Sequence, residues 1–129
     1  MSWLKKAGKV FVDTVINPNR PSVYVSKGEN VHVLFPGAKL EHIDLSGVSL
    51  SGVDLHGIDL RGANLEGVRF VDVDLSGADL TGANLTSAII SGVNLRGAKV
   101  NKTTMKDALL DKNAKEYFVS GMNPLAHGA

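Results

Sequence analysis

Residues 63–67 read Ala63-Asn64-Leu65-Glu66-Gly67, and residues 78–85 read Ala78-Asp79-Leu80-Thr81-Gly82-Ala83-Asn84-Leu85. The same five-residue phrase repeats outward from there in both directions. In steps of five, Leu40, Leu45, Leu50, Leu55, Leu60, Leu65, Phe70, Leu75, Leu80, Leu85, Ile90, Leu95 and Val100 are all large and apolar. Two residues before each stand Ala38, Ile43, Val48, Val53, Ile58, Ala63, Val68, Val73, Ala78, Ala83, Ala88, Val93 and Ala98, all small or β-branched and apolar. In a chain with 43% hydrophobic residues, an apolar residue at every one of these positions does not arise from composition. The repeat decides the fold.

A period of five fits neither an α-helix nor a plain strand. Five residues at 100° each would rotate the apolar position by ~140°, spreading it around a helix. Within one unit the two apolar residues are two apart, as on one face of a strand. The next comes after three, so the chain must turn once per unit to keep its apolar side inward. Glycine follows the large residue by two at Gly47, Gly52, Gly57, Gly62, Gly67, Gly77, Gly82, Gly92 and Gly97. That puts a residue tolerant of unusual φ/ψ near each corner. Short extended segments joined by corners of one sense wind into a solenoid around a dry core.

These units resemble the pentapeptide-repeat family, whose consensus is A(D/N)LxG or close to it. The likeness runs over residues 38–100 and on into 101–112. What the resemblance implies is an all-β solenoid, a right-handed quadrilateral β-helix with four units per coil. The central residue and the residue two before it would point inward, and the other three would face solvent. Just under four coils at about 4.8 Å per rung make a tower roughly 18 Å tall. Two units depart from the consensus. Val68-Arg69-Phe70-Val71-Asp72 lacks both the Asp/Asn and the glycine, and Ala88-Ile89-Ile90-Ser91-Gly92 has isoleucine in place of Asp or Asn. In a four-sided coil the two stack on one side, with Val71 and Ile89 toward solvent, Arg69 one rung from Ile89, and Leu109 extending the column if the last coil is complete. An apolar patch on a polar tower covers something. Arg69, Val71, Ile89 and Leu109 are therefore the candidate protein interface, with a terminal helix of the same chain as the alternative occupant.

The ends read differently. Residues 2–16 pattern as an amphipathic helix capped by Ser2, with Trp3, Leu4, Ala7, Val10, Phe11 and Val15 on one side and Lys5, Lys6 and Lys9 on the other. Its leading role is to plug the open end of the solenoid. A docking arm using Trp3 and Phe11, or a membrane-surface helix, are the other readings. Residues 22–35 alternate as a hairpin, Val23 and Val25 before a turn at Lys27-Gly28-Glu29-Asn30 and Val31, Val33 and Phe35 after it. Val33 and Phe35 fall in the repeat frame. Near the C-terminus Thr103, Met105, Ala108 and Leu110 keep the frame, but Thr104 with Asp107 also resembles a capping box. A short helix over about 104–119 is favoured over another coil. The units are thus residues 1–37 (helix and hairpin cap), 38–112 (repeat body) and 113–129 (C-terminal cap and tail).

Composition excludes several classes of function. Lys and Arg total 14 against 13 Asp and Glu, a net charge of +1, so nothing argues for nucleic acid as a partner. Cysteine is absent, so neither disulfides nor thiolate metal sites form. Lys9 and Asp13 interrupt the apolar start, so no secretory leader is expected, and nothing approaches the ~18 apolar residues of a membrane span. The expected location is the cytoplasm or an assembly built inside the cell. Stacked carboxylates, Asp59 with Asp79 and Asp54 with Asp74 and Asn94, invite a hard cation, but side chains of this kind ordinarily satisfy corner backbone groups. His32, His42, His56 and His127 show no metal spacing, and no phosphate loop or nucleophile elbow occurs. No catalytic residue, metal or cofactor is expected. The sequence thus reads as a non-catalytic scaffold for protein–protein association, in a homo-oligomer or in a virion-like or secretion-type assembly. The family resemblance also carries an alternative, a DNA-mimicking inhibitor of type II topoisomerases of the kind that confers quinolone resistance. Such mimicry needs a long, strongly acidic tower, and residues 38–112 net only −2.

Overall fold

The computed structural model describes residues 10–13 and 22–122. Three strands open the chain: β1 (Val10–Asp13), β2 (Ser22–Lys27) and β3 (Asn30–Leu34), an antiparallel sheet in the order β1-β2-β3. The expected N-terminal helix is therefore corrected at residues 10–13, which pair with β2 as Val10↔Val25 through Asp13↔Ser22. Val10, Phe11 and Val12 are β-branched or aromatic, and the open edge of β2 gives them backbone partners that an isolated helix lacks. Residues 2–9 and 14–16 of that helix lie outside the described residues. β2 and β3 form the expected hairpin around Gly28 and Glu29, with Gly28 at φ 61°. Its inward face differs from the expected alternation: Leu34 is fully buried, whereas Val31 is exposed and Val33 and Phe35 are half-buried. Leu34 lies directly opposite Val23, and opposed residues share a face, so Val23, Val25 and Leu34 enter the core together. Lys27 Nζ donates to the Ser46 carbonyl at 2.6 Å and ties the hairpin to the first coil.

From Phe35 onward the chain turns once every five residues. Each corner closes when the N–H of the next unit's first apolar residue donates to the carbonyl of the large one, as Ile43 to Leu40 and Val48 to Leu45. Four units complete a coil, because parallel bridges join residues 20 apart: Lys39↔Asp59↔Asp79↔Lys99, Asp44↔Asn64↔Asn84↔Thr104 and Asp54↔Asp74↔Asn94 mark three sides. The fourth side is a continuous parallel sheet of β4 (Ser49–Ser51), β5 (Arg69–Val71), β6 (Ile89–Ser91) and β7 (Leu109–Leu110). Of the two inward columns, all but Leu40 and Val93 are buried, and those two pack partly buried against the core.

The coil-to-coil bonds have a direction. On the three bridged sides each unit sends two N–H groups toward the C-terminal end and receives one in return. Leu60 donates to Asp79 and Gly62 to Thr81, while Asp79 donates back to Ile58.

The short C-terminal helix forms, but its expected start near residue 104 is corrected. The repeat continues through Leu110, with Thr104 bridged to Asn84, Leu109 paired with Ile89, and the buried Thr103 hydroxyl donating to the Val100 carbonyl. Only then does α1 (Lys112–Met122) begin. Asp111 is its cap, accepting the Ala114 N–H on one carboxylate oxygen and the Gly92 N–H on the other, both at 2.8 Å. In the stacked rung the N–H groups of Thr104, Leu109 and Asp111 donate to the carbonyls of Ala83, Ala88 and Ile90, tertiary partners that a local capping signal does not anticipate. α1 buries Ala114 and Phe118 across the end of the last coil. Tyr117 Oη donates to the Ala98 carbonyl at 2.6 Å, and Gly121 lies so close to Val100 that a methyl group there would collide with its side chain.

Candidate interaction face

Where Asp or Asn precedes the large core residue, it has a local task. Oδ1 of Asp44, Asp54, Asp59, Asn64, Asp74, Asp79, Asn84 and Asn94 accepts the N–H two residues on, at 2.8–3.1 Å. This Asx turn fixes the corner and leaves the side chain outside. The Ser46 hydroxyl and N–H hold the Asp44 carboxyl below its ordinary pKa, and the Arg61 guanidinium does the same for Asp59. Arg61 spans three coils, 2.8 Å from both Asp59 and Glu41 and 3.9 Å from Asp79. The carboxylate ladder gains a member that sequence spacing had not singled out: ligand atoms of Asp54, His56 and Asp74 lie within 4.8 Å of one another. His56 shares a coil with Asp54, two residues on, and its Nδ1 sits 2.8 Å from Asp54 Oδ1. These three could in principle ligate a divalent ion. The Oδ1 atoms of the two aspartates already accept the N–H groups of His56 and Ser76, so corner bonding is the role the geometry displays.

The sheet side is built otherwise. Its outward column runs Ser49, Arg69, Ile89, Leu109 in register, and the neighbouring column runs Ser51, Val71, Ser91. None of these residues offers an Asx side chain, so the corner position after them loses its usual support. Asp72 takes that corner with φ at 55°. Arg69 is exposed, Val71 and Ile89 are half-buried, and Leu109 is 66% exposed. The structure thus brings Arg69, Val71, Ile89 and Leu109 onto one side. Phe11 lies elsewhere, in β1 opposite Tyr24, and Trp3 is outside the described residues. α1 does not occupy this side; it rests against Ala98 and Val100.

With this geometry in hand, the repeat assigns the family. The sequence profile for pentapeptide repeats matches residues 32–67 and 69–107 in eight copies. The chain belongs to the pentapeptide repeat family. Such proteins form right-handed quadrilateral β-helices, and coils of four units agree with that form. Solved pentapeptide repeat proteins are similar over part of the chain. One is alr5209 from Nostoc PCC 7120, 29% identical over 57% of this chain and 77% of that one, with a TM-score of 0.34. Another is Rfr23 from the cyanobacterium Cyanothece 51142, 36% identical over 60% of this chain and 52% of that one, TM-score 0.28. A third is QnrB1, a plasmid-mediated fluoroquinolone resistance protein, 23% identical over 57% of this chain and 51% of that one, TM-score 0.27. No curated protein matches the sequence. Among the described residues no helix is long and apolar enough to cross a membrane.

Proposed function

We propose that this pentapeptide repeat protein is a non-catalytic scaffold that joins a second copy of itself or another subunit through the β4–β7 side. One observation carries the reading. The polar outward rule fails on the one side that forms an unbroken sheet, and it fails toward apolar residues in adjacent rungs, Val71, Ile89 and Leu109. An apolar patch on the sheet, Ile89 and Leu109 in one column and Val71 in the next, supplies area that is removed from water when a partner docks, and Arg69 supplies a directional cation beside it. The protein would act within the cell as part of a larger assembly. The double variant Val71→Asp/Ile89→Asp keeps the fold by circular dichroism and loses the native oligomer or partner in light scattering and pull-down. An unchanged oligomer and partner set would remove this side as the interface.

A second reading has one feature in its favour. Asp54, Asp74, Asp59 and Asp79 place four carboxylates on two adjacent sides, as a DNA-mimicking inhibitor of a type II topoisomerase would require. Arg61 interrupts that surface between Asp59 and Asp79. Inhibition of such an enzyme by the purified protein, abolished by Asp59→Lys/Asp79→Lys, would replace the scaffold reading.

A further inference from the structure

The bond direction of the coils has a consequence at the C-terminal end. The N–H groups of Leu75, Gly77, Leu80, Gly82, Leu85 and Ser87 donate to carbonyls of the last coil at 2.6–2.9 Å. One coil further, Leu95, Gly97, Val100, Lys102, Met105 and Asp107 hold the equivalent positions. Among the described residues their N–H groups meet no protein acceptor. The Ala98 carbonyl, which points the same way, already accepts the Tyr117 hydroxyl. The end of the tower is therefore rich in donors, and peptide dipoles aligned with N–H outward carry positive partial charge, as at a helix N-terminus.

Side chains add to that charge. Residues 96–122 hold six basic residues, Arg96, Lys99, Lys102, Lys106, Lys112 and Lys115, against Asp107, Asp111 and Glu116, a net of +3. Residues 38–95 hold three basic and eight acidic residues, a net of −5. All six cations are exposed, and among the described residues none is in a salt bridge. The same end carries Leu109 at 66% and Val119 at 60% exposure. α1 covers the part of the last coil around Ala98 and Val100, while Met105 and Leu110 stay only partly buried.

We propose that the C-terminal end of the tower is a docking surface for an acidic, extended segment of a partner protein. Three features select that occupant together: the Met105 and Asp107 N–H groups, on the part of the end that α1 leaves open, which an extended chain's carbonyls can accept; lysines that carboxylates can neutralise; and Leu109 as an apolar anchor. An arriving strand would continue the coil stack by edge addition below Met105 and Leu110. The proposal rests on the reading of the chain as a binding scaffold; it shares Leu109 with the β4–β7 side but needs neither Val71 nor Ile89.

The test titrates the full chain with a peptide of about ten residues alternating Glu and Val, and with a Lys/Val control, watching backbone amide chemical shifts. The Glu peptide is expected to shift Met105, Asp107 and Leu110 most, and to bind more weakly as salt rises. Lys106→Glu/Lys112→Glu, both at exposed positions, should weaken it about tenfold or more with circular dichroism unchanged. Val71→Asp, two rungs from Leu109 and in the neighbouring column, should bind it as well as the unaltered chain, so failure of the lateral interface and failure of this site are distinguishable. Absence of binding, equal binding of the Lys peptide, or shifts centred elsewhere would overturn the proposal. Capture by phosphatidylglycerol vesicles without binding of the peptide would reassign the end to a membrane surface. A dimer in light scattering that dissociates in Lys106→Glu/Lys112→Glu would reassign it to a second copy.

Discussion

Ser87 and Asp72 stand where most units have glycine, and both take up the left-handed backbone, φ 59° and 55°. An L-residue pays about 1–2 kcal/mol for that conformation. Asp72 also needs room one coil below. A methyl group on Gly92 would run into the Asp72 carboxylate, and one on Gly62 would meet the His42 ring in the same way. At Asp72 and His42 the non-glycine corner thus sits over a glycine, whereas Ser87 sits over Asp107, itself at φ 60°. Ser87→Gly should raise unfolding stability in urea by about 0.5–1 kcal/mol, the relief of strain less the extra entropy that glycine loses on folding. Gly92→Ala should lower it by about 1–3 kcal/mol, since it adds both strain and a collision. Equal, near-zero effects at the two sites would mean that the corner backbone relaxes freely.

At the scale of elements, Asp111 joins the last coil to α1. Its carboxylate caps the helix through the Ala114 N–H and holds the corner of the coil above through the Gly92 N–H. Those two N–H groups keep the carboxyl below its ordinary pKa, the Ala114 bond foremost. Asp111→Ala should cost about 1–2 kcal/mol, the range of a lost N-cap. Asp111→Asn should cost less, because the amide oxygen still accepts one N–H. Urea titration monitored at a helix-sensitive wavelength checks both. If the two variants are as stable as the unaltered chain, the end of the tower is held by Ala114, Phe118 and Tyr117 without help from the cap. At the opposite end, β1 has a helical hydrophobic pattern and became a strand because β2 had an edge to fill.

Over the whole molecule, the carboxylates that fix corners and the cap set the response to acid. Asp44, Asp59 and Asp111 all have lowered pKa values in the folded chain, through Ser46, Arg61 and the N–H groups of Ala114 and Gly92. A group whose folded pKa is depressed contributes stability above its unfolded value, and that contribution is lost as pH falls through the folded value. The melting temperature should therefore hold level above about pH 5 and decline below about pH 4, where unfolded carboxylates take up protons first. Calorimetry across that range decides it, and a level profile down to pH 3 would show that corner bonding adds little net stability. Charge also divides the sequence into an acidic body, residues 38–95, between two basic ends, residues 1–37 and 96–122 at +3 each, which the near-neutral total conceals.

The period of five determined by itself which residues are buried. Leu, Phe, Ile and Val at one position and Ala, Val and Ile two before it have nowhere else to go when the chain must turn once in every unit, and nearly all of them are buried in the structure. That Arg69, Val71, Ile89 and Leu109 share one side followed only once the resemblance supplied four units per coil, and the pairing of residues 20 apart in the structure bears that stacking out. Outside the repeat body, local pattern did not decide. Residues 10–13 and 104–110 carry patterns that suit a helix as well as an extended chain, and pairing with β2 and with the preceding coil settled them. Leu34 entered the core because Val23 faces it across the hairpin, which alternation along β3 alone did not indicate. The donor-rich end is likewise tertiary: single residues show no polarity of hydrogen bonding, and it emerges only when coils stack in one direction and the last has none below it.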